Sequence, residues 1–295
     1  MFRKTSPIPV PIALLALTAL ACGGFNINIP TAQLTTIPTE IADIVAPAPE
    51  DGEATLNLNL TVGEIDIEPG AEGDLVTGTY TYNLTELEPE VAVDGTTITI
   101  GNRETEFDLN GFPDFNSNTI ESHWDLRLGN YPTDLTLSVG AGDADIDLGG
   151  LSLSRVQINL GASDTTLTFS ALNNVEMSRL QFEAGAGSIR LTGLANTNAE
   201  DIIVRTGAGE VTLEFDGDLQ RDLTVNVEAG VGSLTIIVPE RTNAEVTNVT
   251  TGLGNIVIRG NWQTSSGRHF LTGDEDAPTI TFRLNAGVGE IRLEN

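Results

Sequence analysis

The sequence predicts an all-β chain, built as a parallel β-solenoid of about 22-residue rungs with Gly-x-Gly corners and a β cap on its N-terminal side. Three observations predict it. Apolar residues alternate with period two, glycine is abundant at 31 while aromatics are few, and one corner pattern recurs at nearly constant spacing. Alternation marks half-buried strands, and a fixed repeat of 20 to 50 residues marks stacked units.

The repeat is explicit in seven segments: LTLSVGAGDADIDL (135–148), VQINLGASDTTLTF (156–169), LQFEAGAGSIRL (180–191), IIVRTGAGEVTL (202–213), VNVEAGVGSLTI (225–236), TNVTTGLGNIVI (247–258) and FRLNAGVGEIRL (282–293). Their corners carry Gly140 and Gly142, Gly161, Gly185 and Gly187, Gly207 and Gly209, Gly230 and Gly232, Gly252 and Gly254, and Gly287 and Gly289. The first glycines are separated by 21, 24, 22, 23, 22 and 35 residues. The long last interval predicts an inserted loop over about 262–277, where a solenoid tolerates extra chain. An eighth copy, LNLNLTVGEIDI (56–67), has Thr61 in place of the first glycine.

Period two assigns the faces. Leu135, Leu137 and Val139 align with Val156, Ile158 and Leu160, and Ile146 aligns with Leu167, Leu191, Leu213, Ile236, Ile258 and Leu293. These point inward, and no single rung has enough of them to close a core, so rungs must stack about 4.8 Å apart. Glycine at the corner serves positive φ or close backbone approach, an explanation that needs no ligand.

The organisation expected from this reading is a signal peptide (1–21), a lipidated cysteine with a Pro-rich spacer (22–51), a cap with the first rung (52–134) and the solenoid proper (135–295). Arg3 and Lys4 precede the apolar stretch Ile8 to Ala21, which at 14 residues is short for a bilayer span and has the layout of a secretory signal. Cys22 is the sole cysteine. It has no partner for an internal disulfide, so the core must hold the fold. Pro30, Pro38, Pro47 and Pro49 punctuate the spacer. Runs at 75–82, 96–100 and 122–128 predict cap strands, with a polar loop at 110–117.

Charge excludes partners. The chain carries −28; beyond residue 21 it has no lysine, 12 arginines and 42 acids, or −30. Such a surface repels nucleic acid and anionic lipid alike. Enzyme constellations are absent: His123 and His269 lie far apart, each expected to be solvated, and no nucleophile elbow or HExxH is present. The chain is therefore expected to be no enzyme, to need no cofactor and to hold no dedicated metal. The densest carboxylate cluster, Asp143, Asp145 and Asp147, is the one candidate for a weak Ca²⁺ site. The residue after each corner is polar throughout (Glu64, Asp143, Asp164, Ser188, Glu210, Ser233, Asn255, Glu290), as a solvent-exposed bend requires and as a cation-binding or hydrogen-bonding ladder along one edge would also show. Trp124, Tyr131, Trp262 and Phe270 are candidate contact aromatics.

Two resemblances extend the reading. Ala19-Leu20-Ala21-Cys22 resembles a bacterial lipobox, with Ala19 where leucine is usual and Leu20 one place later. That implies a palmitate-type lipid on Cys22 and a place on the outer face of a bacterial membrane. The glycine-cornered rungs over about 130–295, together with GEIDIEPGAEGDLVTGTYTYN (63–83), resemble the adhesin-like and toast-rack β-solenoid domains of bacterial envelope proteins. The resemblance implies a non-enzymatic lipoprotein for structural or binding roles, with an envelope protein or a glycan as partner. The alternative it implies is an envelope-stress sensing module acting through a membrane partner. A carbohydrate-active enzyme is the third reading.

Overall fold

The computed structural model describes residues 36–102, 120–266 and 268–295. The signal and Cys22 lie outside them, as does the expected loop at 110–117.

Among the described residues, fifteen strands form one sheet: β1 (Thr36–Pro47), β2 (Ala54–Pro69), β3 (Asp74–Leu84), β4 (Pro89–Asp94), β5 (Thr97–Asn102), β6 (Ser122–Leu128), β7 (Thr133–Asp147), β8 (Leu153–Thr168), β9 (Met177–Thr192), β10 (Ala199–Glu214), β11 (Leu223–Ile237), β12 (Asn243–Ile258), β13 (Gln263–Ser265), β14 (Arg268–Leu271) and β15 (Thr279–Glu294). Short 3-10 turns at Thr85–Leu87 and Leu194–Thr197 are the helical elements among the described residues. The predicted β-solenoid is what the chain forms.

Each rung is one long strand bent at its glycine corner into an incoming and an outgoing leg. Leu135, Val156 and Leu180 stand in register, as do Ile146, Leu167 and Leu191, matching the alignment drawn from the sequence. These inward residues are buried, and so are Phe169, Leu194, Phe215 and Val238 on the return segments that close the core.

The corners show why glycine recurs. In the column Thr61, Gly140, Gly161, Gly185, Gly207, Gly230, Gly287 and Gly252, a Cβ on any glycine would overlap the carbonyl oxygen of the residue before it. The second corner position adds a conformational demand: Gly232 has φ +140° and no room for a Cβ above Gly209.

That column also gives the order of stacking. The rungs run β2-β7-β8-β9-β10-β11-β15-β12, so the last strand in sequence lies inside the stack, between β11 and β12. The long final interval is not a simple loop. It holds the β13–β14 hairpin, whose Ala244↔Leu271 to Val246↔His269 pairing covers the incoming leg of β12 and returns the chain as β15.

A second correction concerns the spacer. Residues 36–47 form β1, antiparallel to β3, with Ile44 and Ala46 buried against the cap. Two inward residues at period two make this segment a strand in spite of Pro38 and Pro47.

The cap closes both legs of the first rung. Thr55–Asn59 of β2 pair with β5, which β4 backs, and Glu64–Pro69 pair with β6, which β3 and β1 back. Its centre is aromatic. Trp124 is fully buried, stacked on Tyr80 at 3.8 Å between centroids, so it is core and not a contact residue. Trp262 is buried too, and Tyr131 packs half-buried against the core. Asn102 ties the cap to the corner: its Nδ2 donates to Leu87 O (2.7 Å) and Tyr80 Oη (3.2 Å), while its Oδ1 accepts from Thr61 N (3.1 Å).

Candidate functional site

Two outward features arise from the rungs. The first is a row of charge on the outgoing legs. Pairing of β2 with β6 sets Glu64 opposite His123 and Asp66 opposite Asp125; pairing with β7 sets Glu64 opposite Asp143 and Asp66 opposite Asp145. Like charges directly opposite one another repel. His123 Nδ1 lies 3.3 Å from Glu64 Oε2 and its Nε2 3.5 Å from Asp66 Oδ2. Burial is the main cause that pushes the Asp66 carboxyl above its ordinary value; His123 opposes this, and Glu64, Asp145 and Asp125 add to it.

A cavity of about 500 Å³ lies beside this row, lined by Glu64, Asp66, Asp143, Asp145, Asp164 and Arg190 among others. The ligand atoms of Glu64, Asp66 and His123 all fall within 4.8 Å of one another, a donor set that suits a divalent cation. Positive charge held between Glu64 and Asp66 would offset the repulsion along the row.

The sequence-predicted trio is split. Asp143 and Asp145 line the cavity, whereas Asp147 accepts from the backbone N–H groups of Gly149 (2.9 Å) and Ser170 (3.2 Å) and closes a turn. His123 is not a solvated loop residue but part of β6. The signal that marks it is the alternation His123-x-Asp125-x-Arg127, although nothing local shows that β6 lies against β2.

The Asp66 shift has a testable consequence. A carboxyl held above its unfolded value contributes stability that is present at low pH and lost as pH rises through the folded value. Denaturant midpoints of the wild type and Asp66→Asn should therefore converge as pH falls from 7 toward 4. The variant should be the more stable at pH 7. Parallel pH profiles would show that Asp66 does not carry the effect.

The second feature is a groove of about 960 Å³ along the first-glycine column, its floor made of backbone at Gly140, Gly161, Gly185, Gly207, Gly230 and Gly287. One in-register column, Asn59, Ser138, Asn159, Glu183, Arg205, Glu228 and Asn285, lines it, together with the mainly apolar column Leu60, Val139, Leu160, Ala184, Thr206 and Ala229. Arg205 donates to Glu183 (2.7 Å) and Glu228 (3.3 Å), which centres the column on a Glu–Arg–Glu ladder. Asn159, Ser138 and Asn59 flank that ladder on one side and Asn285 on the other. The groove repeats a hydrogen-bonding unit every rung, which suits an extended ligand better than a compact one.

The in-register outer columns and the glycine corners define a β-solenoid of stacked, bent rungs. Residues 32–191 and 171–237 match the N-terminal domain of toast_rack, DUF2154, and the chain belongs to that family. No curated protein matches. Among solved structures, a candidate cell adhesion protein from Clostridium sporogenes is similar at 19% identity and TM-score 0.48, covering 87% of this chain and 99% of that one. A candidate lipid binding protein from Parabacteroides distasonis is similar at 12% identity and TM-score 0.42, covering 86% and 96%. A candidate adhesin from Bacteroides fragilis is similar at 14% identity and TM-score 0.36, again covering 86% and 96%. At these TM-scores none of the likenesses fixes what this chain binds.

Proposed function

We propose that the protein is a non-enzymatic lipoprotein of the bacterial envelope, anchored through Cys22, whose solenoid binds an extended glycan along the corner groove. The observation that carries this reading is the groove wall. It is a ladder of amide, hydroxyl and Glu–Arg–Glu groups in register over seven rungs, with a glycine floor that lets a chain approach the backbone closely. Neutral amides and paired charges favour a hydroxyl-rich polymer over an anionic one, which the net charge would repel. The lipobox-like run before Cys22 supports the anchor.

The test uses envelope polysaccharide fractions immobilised for binding. The wild type is expected to be retained, and Asn159→Ala with Arg205→Ala to lose at least about tenfold in affinity while keeping its unfolding free energy within about 1 kcal/mol of the wild type. Equal retention of both proteins would sink the groove. In cells, labelled palmitate should mark the wild type and not Cys22→Ala, which should be released.

A further inference from the structure

The two ends of the stack are finished differently. At the cap both legs of β2 are covered, by β5 and by β6. At the other end β14 covers only Ala244–Val246 of β12. Among the described residues, the outer edge of β12 from Thr247 to Ile258 has no strand beside it.

Apart from a register shift between Val246 and Asn248 where it begins, that open edge lacks the charges, prolines and covering strands that normally guard one. The edge strand β1 carries Pro38, Glu40, Asp43 and Pro47; β4 carries Pro89, Glu90 and Asp94; β13 is three residues long. The segment TNVTTGLGNIVI has no ionisable side chain at all, alone among the eight rungs, in a chain of net −28. It also leaves core positions open. Val249, Ile256 and Ile258 are half-buried, whereas their in-register neighbours Leu284, Ile291 and Leu293 are at most 2% exposed. At the apex, Leu253 stands 77% exposed beside Val288 and Val231, where the inner rungs β7 to β10 carry alanine.

We infer that this edge is a dimer interface, closed by the same segment of a second copy paired antiparallel across a two-fold axis through the corner. The geometry is self-complementary. A two-fold along the bisector of the bend exchanges the incoming and outgoing legs, so one bent strand overlies the other. Pairing Thr247 with Ile258 sets Val249 against Ile256 on the inward side and Thr250 against Asn255 on the outward side. In each copy β14 stops where the partner's strand begins. Charge selects the occupant: this is the one rung where two strongly acidic molecules meet without apposing carboxylates.

Sedimentation analysis of the full chain carrying Cys22→Ala tests this, since neither thiol nor lipid can then couple copies. A dimer is expected. Thr250→Lys with Asn255→Lys places lysines opposite each other at both ends of the two-fold, while lowering the net negative charge. Dissociation should become at least about tenfold easier. Thr250→Asp with Asn255→Lys pairs opposite charges in the same register and should restore the dimer. Both positions are exposed, so circular dichroism should be unchanged throughout. A wild type that is monomeric at all concentrations, a dimer indifferent to the double lysine variant, open-ended assembly, or failure of the Asp/Lys pair to restore dimers would each overturn the proposal.

Discussion

Gly232→Ala is expected to lower stability by about 3–5 kcal/mol, against about 1 kcal/mol for Gly95→Ala. Both glycines have positive φ, +140° and +61°. At Gly95 a Cβ meets nothing within 4 Å, so the cost is mainly that of placing an L-residue in the left-handed region. At Gly232 the new carbon would overlap the backbone carbonyl of Gly209, and a carbonyl in a parallel ladder has no freedom to move. Backbone strain of about 1–3 kcal/mol then adds to overpacking of similar size. Because Gly289 stacks on Gly232 in turn, the disturbance spreads to the next rung. Urea unfolding of the two variants reads the difference directly. Equal losses would mean that the corner tolerates a side chain and that spacing, not steric exclusion, keeps the glycines in place.

The local layers of this architecture were legible in the sequence, and the order of assembly was not. Each rung announces itself through period-two burial and a corner, both properties of a dozen adjacent residues. Which rung lies on which is a different question. The segments of β12 and β15 share inward apolar residues and a G-x-G corner, so either order satisfies the periodicity. What decides it is the β13–β14 hairpin, whose pairing at Ala244–Val246 occupies the outer edge of β12 and leaves the inner side for β15. β1 was hidden for a related reason: its prolines read as spacer, and only pairing with β3 shows that Ile44 and Ala46 face a core. His123 likewise gained its meaning from Glu64 and Asp66, which are distant in sequence.

The interior position of β15 makes a second, larger contrast predictable. Phe282→Ala should cost about 3–5 kcal/mol, although Phe282 lies near the end of the chain. It is fully buried, meets Phe215 edge-to-face at 5.1 Å between centroids, and has a rung on each side: Val225 of β11 and Val246 of β12 are its register neighbours. Losing the ring opens a cavity that neither neighbour can close, because both are pinned in the ladder. Val249→Ala, thirty-three residues earlier in sequence but on the true terminal rung, should cost about 1 kcal/mol or less, since its side chain is already half in solvent. The comparison is best made with Thr250→Lys and Asn255→Lys in the background, which holds the chain monomeric and keeps the edge open. A stack in sequence order demands the reverse ranking, with the C-terminal strand fraying and β12 sealed within. Denaturant midpoints for the two variants therefore decide the order of the rungs without a further structure.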